Sequence, residues 1–208
     1  MEEPKGMDNP QQIEQHLETL AFELGALGVT IQYHLVITGG AYLILQHERS
    51  YTEDIDFALI AGASHPTPGR VVQTTVQRMT VASLQSTVPY ATEFRQAVVN
   101  VAVAHRLPPD WMNDEAAEYY YDDAPSVDVL FWRSFGGRLF VYLPTPEYVF
   151  ATKIMANRPK DQDDIRLLIH KLHLRTRTQA QTILDRFVLP EGQQFYEVPK
   201  TLKRLFRK

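Results

Sequence analysis

The chain contains no cysteine among its 208 residues. This absence excludes disulfide bonds, thiolate metal ligands, iron–sulfur clusters and a cysteine nucleophile. The chain also lacks an apolar run of the roughly 18–20 residues that a helix needs to span a bilayer. Its first residues, MEEPKGMDNPQQIEQ, are acidic and polar, whereas a signal peptide is basic and then apolar. We therefore expect a cytoplasmic protein with no membrane partner.

The net charge of −4 is distributed unevenly along the chain. Residues 1–60 carry two Lys or Arg against ten Asp or Glu, residues 61–150 carry six against nine, and residues 151–208 carry thirteen against six. The basic last segment favours an anionic partner, such as the phosphate backbone of RNA. A solvated surface whose charges compensate one another explains the same distribution, so both interpretations stay open.

The order of short strands and helices predicts an α+β (α/β) fold, with a small mixed β-sheet flanked by helices and a helical C-terminal part. Two glycines between the last two predicted strands are typical of a hairpin. We expect a core domain over 1–145 and a helical, basic region over 146–208 that packs on it. Helices are predicted over 11–27, 41–48, most of 70–106, 146–157, from 159 onward, 176–187 and 199–206, and strands over 33–38, 55–60, 127–132 and 139–143.

Asp54 and Asp56 are separated by one residue on a predicted strand, so both carboxylates are expected on the same face. Two carboxylates so placed repel each other, and a divalent cation relieves the repulsion. Ligands that are all oxygen favour Mg²⁺ or Mn²⁺. Acidic pairs at strand ends are also commonly just solvated, so the pair alone is weak evidence for a metal site.

Gly39 and Gly40 form a predicted strand-to-helix turn, with thirteen residues between them and Asp54. Because glycine has no Cβ, the N–H groups of this turn can approach a phosphate closely, beside the start of the following helix. A phosphate site next to a metal-binding carboxylate pair is what nucleotide chemistry requires. A tight turn packed under the sheet is the alternative, and it explains the glycines but not the aspartates.

These motifs together resemble the DNA polymerase β-type nucleotidyltransferases, in which a hydrophobic residue and Gly-Gly precede D-h-D (h is hydrophobic) by nine to thirteen residues. Here the two parts read ITGG (37–40) and DIDF (54–57). Arg49 and Thr52 match the R-x-x-T-x-D-I-D variant of abortive-infection (AbiEii-type) toxins and related minimal nucleotidyltransferases. FATKIMANRPKDQDDIRLL (150–168) is similar to their A-x-K-L-x-A-x-R-x-K-D-x-x-D-I segment, and LPPDWMND (107–114) recurs in a bacterial subgroup.

The resemblance implies a third metal-binding carboxylate on a later strand. Asp128 fits this position best, because Val127 and Val129 on either side of it would face the core. Asp122 and Asp123 compete for the role from a predicted loop. An ordinary polar residue on an exposed strand face is the alternative for Asp128.

The resemblance also implies a set of nucleotide-binding residues. It assigns Lys153 to the triphosphate, and it has Asp161 orient either Lys153 or a substrate group. An exposed helical lysine and a helix-capping aspartate are the alternatives for this pair. The full implied set is Gly39, Gly40, Arg49, Thr52, Lys153 and Asp161.

The function implied by the resemblance is Mg²⁺-dependent, two-metal transfer of a nucleoside monophosphate from a nucleoside triphosphate to a hydroxyl. Asp54, Asp56 and Asp128 would hold the metals. The acceptor would be tRNA, another RNA or a protein, and the chain would be the toxin of a toxin–antitoxin pair with a cognate antitoxin as its partner. A small-molecule (aminoglycoside-like) nucleotidyltransferase and a non-catalytic nucleotide-binding module of the same fold are the alternatives.

Overall fold

The computed structural model describes residues 6–60, 84, 88–119 and 128–207. Within those ranges it contains five strands, eight α-helices and short 3₁₀ helices at Glu115–Tyr119 and Pro159–Asp161. The strands are β1 (Tyr33–Ile37), β2 (Ile55–Leu59), β3 (Met112–Asn113), β4 (Val129–Phe135) and β5 (Leu139–Pro144). The helices are α1 (Pro10–Ala26), α2 (Gly39–Leu45), α3 (Ala91–His105), α4 (Pro146–Ala156), α5 (Gln162–Lys171), α6 (Arg177–Phe187), α7 (Pro190–Phe195) and α8 (Val198–Leu205).

The five strands form one mixed sheet in the order β3-β2-β1-β5-β4. Strand β1 pairs antiparallel with β2 and parallel with β5, and β2 pairs parallel with β3. Between β4 and β5 the chain turns at Gly136 and Gly137, whose φ angles are +53° and +66°. Glycine adopts these angles without a Cβ clash. The predicted hairpin and the predicted mixed α+β class with a small sheet are therefore confirmed.

Most predicted elements lie within two residues of their positions in the structure, because each shows a clear local pattern. The exceptions are α2 and β4, which each end three residues from the predicted position, and β3 and α7, which the sequence did not predict. Residues 107–114 are turn-rich, yet β3 lies within them and pairs with β2 across some sixty residues of sequence. No local pattern signals such a pairing. The predicted helix over 70–83 and 85–87, and the candidates Asp122 and Asp123, lie outside the described residues.

The described residues divide into two compact units. The first comprises 6–60, 84, 88–118 and 129–143, and the second comprises 144–207 with residues 119 and 128. In the first unit Phe94 of α3 packs against Tyr33 in β1 and Phe57 in β2, with ring centroids 4.8 and 5.6 Å apart. In the second unit α4 is the central helix and packs against α5, α6 and α8.

A search of the described helices for one long and apolar enough to cross a membrane finds none. The search covers only the described part of the chain.

Candidate functional site

The turn between β1 and α2 is built directly against the Asp56 side chain. Gly39 has a φ of +65°, a left-handed conformation that other residues rarely adopt. A Cβ added to Gly39 would overlap the Asp56 carboxylate, with the Asp56 Cγ only 2.9 Å away. Both the backbone angle and the lack of space therefore require glycine here. The predicted glycine turn and the predicted carboxylate are immediate neighbours.

Gly40 lies against the two residues that precede the aspartate pair. A Cβ at Gly40 would overlap the Thr52 hydroxyl and would come within 3.1 Å of Arg49 Nη1. Thr52 is buried, and its backbone N–H and C=O both pair with Met7, at 2.8 and 2.7 Å. Arg49 Nε donates to the Tyr51 carbonyl at 2.6 Å. Arg49 and Thr52 are thus placed beside the glycine turn by local packing.

Asp54 and Asp56 both border this turn, although only one of them lies within a strand. Asp56 belongs to β2 and is 8% exposed, whereas Asp54 lies one residue before β2 begins. The Thr52 hydroxyl donates to the Asp54 carbonyl at 3.2 Å and to its Oδ1 at 3.3 Å. Because Gly39 contacts Asp56 and Gly40 contacts Thr52, the two carboxylates lie at the same end of β2.

Thr38 is a site residue that the sequence did not single out. It follows β1, and its N–H donates to the Asp56 carbonyl at 3.0 Å. The register that pairs Ile37 with Phe57 continues to Thr38 and Asp56, so their side chains share one face of the sheet. Thr38 is 4% exposed, and its Oγ1 has no hydrogen-bond partner among the described residues. Among the described residues, this buried hydroxyl therefore leaves one hydrogen bond unmade beside the Asp56 carboxylate.

Asn113 extends this row to a third strand, since the parallel register of β2 and β3 pairs it with Asp56. Its Oδ1 accepts a hydrogen bond from the Glu115 N–H at 3.2 Å. Thr38, Asp56 and Asn113 therefore line up across β1, β2 and β3. The strand register identifies Thr38 and Asn113 as neighbours of Asp56. No local sequence motif reveals that register.

The ligands available here fit Mg²⁺, which binds through one or two carboxylates together with water and substrate phosphate oxygens. Asp54 and Asp56 supply two carboxylates, Gly39 places no Cβ beside Asp56, and Thr38 contributes a buried hydroxyl that has no hydrogen-bond partner in the described part of the chain. Within the described ranges, no group of three or more His, Cys, Asp or Glu side chains is arranged to hold a metal ion. A metal at this site would thus depend on oxygens that a substrate or water provides.

Asp128 is an exposed residue immediately before β4, in the second of the two compact units. Strand β4 begins at Val129, two residues later than predicted, so Asp128 lies outside it. Its role as the third carboxylate stays a prediction.

Lys153 lies on α4 with its side chain 5% exposed, and it is fully engaged by carboxylates. Its Nζ is 2.6 Å from Asp161 Oδ1 and 2.9 Å from Asp164 Oδ2. Arg158 Nε donates to the other Asp161 oxygen at 2.8 Å. The exposed-lysine alternative is therefore wrong. Contact of Lys153 with a triphosphate stays a prediction, and it would require the lysine to leave or share these two carboxylates.

Asp161 holds Lys153 rather than capping its own helix, since its side chain makes no capping hydrogen bond to α5. Burial by itself raises the pKa of Asp161, but the hydrogen bond from Arg158 and the charge of Lys153 outweigh it, and the net pKa is lowered. The carboxylate thus stays ionised while buried. The sequence left open whether Asp161 caps α5 or orients Lys153. The observed contacts match the orientation of Lys153.

Comparison of the chain with protein-family models, curated proteins and solved structures finds no match. Function is therefore inferred from the glycine turn, the carboxylates and the buried hydroxyl, together with the sequence resemblance.

Proposed function

We propose that this protein has the nucleotidyltransferase fold and transfers a nucleoside monophosphate from a nucleoside triphosphate to a hydroxyl, with Mg²⁺. The observation that carries the proposal is the direct contact of Gly39 with the Asp56 carboxylate and of Gly40 with Thr52. The glycine turn and the carboxylate pair thus occupy one place. A structural turn alone would not need a buried aspartate at this point.

Each residue of the site has a role in this proposal. Asp54 and Asp56 hold Mg²⁺, and Asp128 joins them as the resemblance implies. The N–H groups of the Gly39-Gly40 turn donate to the β- and γ-phosphates, and the Thr38 hydroxyl donates to a phosphate oxygen. Bound Mg²⁺ supplies positive charge that stabilises the transferred and departing phosphates.

The reaction is a substitution at the α-phosphorus. The acceptor hydroxyl oxygen forms a bond to the α-phosphorus, and the bond from that phosphorus to the oxygen bridging to the β-phosphate breaks. Pyrophosphate leaves with the electron pair of the broken bond. The acceptor hydroxyl proton passes to a carboxylate of the site, which the resemblance assigns to Asp128.

RNA is the acceptor class that the charge distribution favours. Residues 151–208 carry thirteen Lys or Arg against six Asp or Glu, and a phosphate backbone is attracted by such an excess. We further propose, on the resemblance, a toxin that a cognate antitoxin protein inhibits in the cytoplasm.

The test is transfer of label from each α-³²P nucleoside triphosphate, with Mg²⁺, into total RNA, total protein and an aminoglycoside. Asp56→Asn should lower the transfer rate by about 100-fold or more, because it removes charge that holds the metal. Gly39→Ala should have a similar effect, because its Cβ would displace the Asp56 carboxylate. Gly28→Ala is the matched control, since Gly28 has a φ of +78° but open space around it.

Wild-type rates in Asp56→Asn would overturn the metal assignment. Equal losses of transfer rate in Gly39→Ala and Gly28→Ala would mean that backbone strain alone lowers the rate. The contact of Gly39 with Asp56 would then no longer support the proposal. Nucleotide binding without transfer to any acceptor would mean that the protein is a non-catalytic binding module. Label in the aminoglycoside would mean that the acceptor is a small molecule and not RNA.

A further inference from the structure

The second compact unit contains a pocket of about 580 Å³ that no role described so far uses. Its wall combines two arginines, two side-chain amides and two aliphatic residues. We call it the Arg166–Arg204 pocket. The lining residues on which its chemistry depends are Asn157, Gln162, Arg166, Ile169, Arg204 and Leu205.

Three helices bring these groups together. Gln162, Arg166 and Ile169 recur at i, i+4 and i+7 on α5, so they share one helix face. Arg204 comes from α8, and Asn157 ends α4 in a left-handed conformation with φ of 44°. Arg204 Nη2 donates to Asn157 Oδ1 at 2.7 Å and to the Gln162 Oε1 at 3.2 Å. Both acceptors are neutral amides, so these bonds orient the guanidinium without cancelling its charge.

The second guanidinium is held only weakly. Arg166 Nη1 lies 2.8 Å from Asp163 Oδ1, and the two side chains are 72% and 92% exposed. An ion pair this exposed contributes about 0–1 kcal/mol, because water screens it. A phosphate that contacts Arg166 and Arg204 together can therefore compete with Asp163 for the arginine.

The charge around the pocket continues along the C-terminal helix. Residues 198–207 carry four Lys or Arg and no Asp or Glu, and one of them, Lys200, pairs with Glu197 at 3.0 Å. Lys203 and Arg204 are exposed on α8, whereas Val198 and Leu202 are buried on its other side. The basic surface thus extends beyond the volume that one phosphate would fill, which favours a chain of phosphates over a single ion.

We propose that the Arg166–Arg204 pocket binds the phosphodiester backbone of a single-stranded polynucleotide. Arginine binds phosphate oxygens through its fork of N–H donors, while Ile169 and Leu205 offer an apolar wall to a sugar or base. This inference deepens the proposed function by naming the acceptor as a polynucleotide, and it depends on that function only for this consequence. Binding itself needs neither a nucleotide nor a metal.

The test is fluorescence anisotropy of a labelled, unstructured single-stranded RNA of about 16 nucleotides, in EDTA and without nucleotide. The double variant Arg166→Gln/Arg204→Gln should weaken binding about tenfold or more near 100 mM KCl. It should also reduce the slope of log Kd against log salt concentration by about 1.4, or about 0.7 for each lost phosphate contact. Single-stranded DNA of the same sequence and inorganic phosphate are measured in parallel.

The matched control is Arg175→Gln/Arg177→Gln, which removes two exposed arginines of the same unit that do not line the pocket. It should change the affinity less than about twofold, with the ordinary salt slope retained. Since Arg204 bridges two helices, circular dichroism checks folding, and Arg166→Gln alone should still reduce the slope by about 0.7.

If both double variants weaken RNA binding equally, the RNA is attracted by diffuse positive charge. That result would overturn the assignment of RNA binding to the Arg166–Arg204 pocket. If inorganic phosphate binds as tightly as the oligonucleotide, the proposal that the ligand is a polynucleotide is overturned. Equal binding of RNA and DNA supports recognition of the shared phosphodiester, and RNA preferred over DNA supports it with an added 2′-hydroxyl contact. The proposed function is tested apart from this one, because the RNA-binding assay contains neither Mg²⁺ nor nucleotide, whereas the loss of transfer in Asp56→Asn is measured in a separate assay.

Discussion

Thr38 places a hydroxyl where the described protein offers it no partner. An unsatisfied buried polar group costs about 1–3 kcal/mol of stability. Thr38 lies next to a buried carboxylate and the Gly39 turn, so the proposed function predicts that a bound phosphate provides the missing hydrogen bond. At the scale of single residues, Thr38 is therefore where that proposal has its most specific test.

Thr38→Val should raise the free energy of unfolding by about 1 kcal/mol, because it removes the unsatisfied hydroxyl at almost unchanged volume. The same variant should weaken nucleoside triphosphate binding about tenfold, because a phosphate contact is lost. Urea denaturation measures the first effect and a nucleotide titration measures the second.

Thr152→Val is the control for this prediction, since the Thr152 hydroxyl is also buried but donates to the Val149 carbonyl at 2.9 Å. It should lower stability and leave nucleotide binding unchanged. If Thr38→Val is destabilising and binds nucleotide normally, the hydroxyl has a structural partner and no ligand role.

At the scale of elements, α1 and α3 pack against each other around a pair of histidines. The rings of His16 and His105 lie 4.8 Å apart, and His16 also contacts Trp111 with centroids 5.8 Å apart. His16 is buried, and its Nδ1 has no hydrogen-bond partner among the described residues. Burial first, and then the nearby His105, lower the pKa of His16 from 6.5 to about 4.

This pKa makes stability depend on pH. Between pH 6.5 and about 4 the unfolded chain binds a proton at His16 and the folded chain does not. Stability therefore falls as the pH is lowered through that window, by up to about 3 kcal/mol in total. Urea midpoints at pH 7 and pH 5 should show the loss in the wild type and a clearly smaller loss in His16→Phe.

His170→Gln, which removes an exposed imidazole from α5, controls for the loss of a surface histidine. Its pH profile should run parallel to that of the wild type. An unchanged profile in His16→Phe would place the acid sensitivity elsewhere in the molecule.

The helix pair α4 and α5 is joined by the buried ion pairs of Lys153. Lys153→Met should lower the free energy of unfolding by about 3–5 kcal/mol, because Asp161 and Asp164 would stay buried without this cation. Chemical denaturation followed by circular dichroism measures the change. Lys160→Met removes an exposed lysine from the same segment and should change stability by less than about 0.5 kcal/mol.

A Lys153→Met protein of wild-type stability that fails to bind nucleotide would contradict the structural role and favour the triphosphate role that the resemblance implies. The two roles are therefore separated by one variant and two measurements.

At the scale of the whole molecule, a ligand that binds only the folded state raises global stability. A non-hydrolysable nucleoside triphosphate with Mg²⁺, at about 100 times its dissociation constant, should stabilise the protein by about 2.7 kcal/mol. For a chain of this size that corresponds to a rise of about 5–10 °C in Tm. Asp56→Asn should show no rise with Mg²⁺, and no acceptor is needed for the measurement.

A rise of equal size in the wild type and in Asp56→Asn would mean that the nucleotide binds away from the carboxylate pair. Mg²⁺ omitted from the wild-type sample should abolish most of the rise. A rise independent of Mg²⁺ would contradict the metal assignment.

Local patterns in the sequence predicted much of this fold. The helical spacing from Pro10 to Ala26 and the alternation from Ile55 to Leu59 are decided by neighbouring residues, so they are visible without a structure. The glycine turn and the aspartate pair were predicted for the same reason. Strand β3 was not, because its partner β2 is distant in the chain and the strand is too short to show a period.

The sequence by itself determined the mixed α/β composition, the absence of cysteine chemistry, and the residues Gly39, Gly40, Asp54 and Asp56 as the candidate site. These follow from residue identity and short spacing, which act locally. Only the tertiary structure decided that Gly39 contacts Asp56, that the buried Thr38 hydroxyl has no partner within the described ranges, and that Lys153 is enclosed by carboxylates. Strand register and burial arise from contacts between distant segments, so no local sequence pattern specifies them.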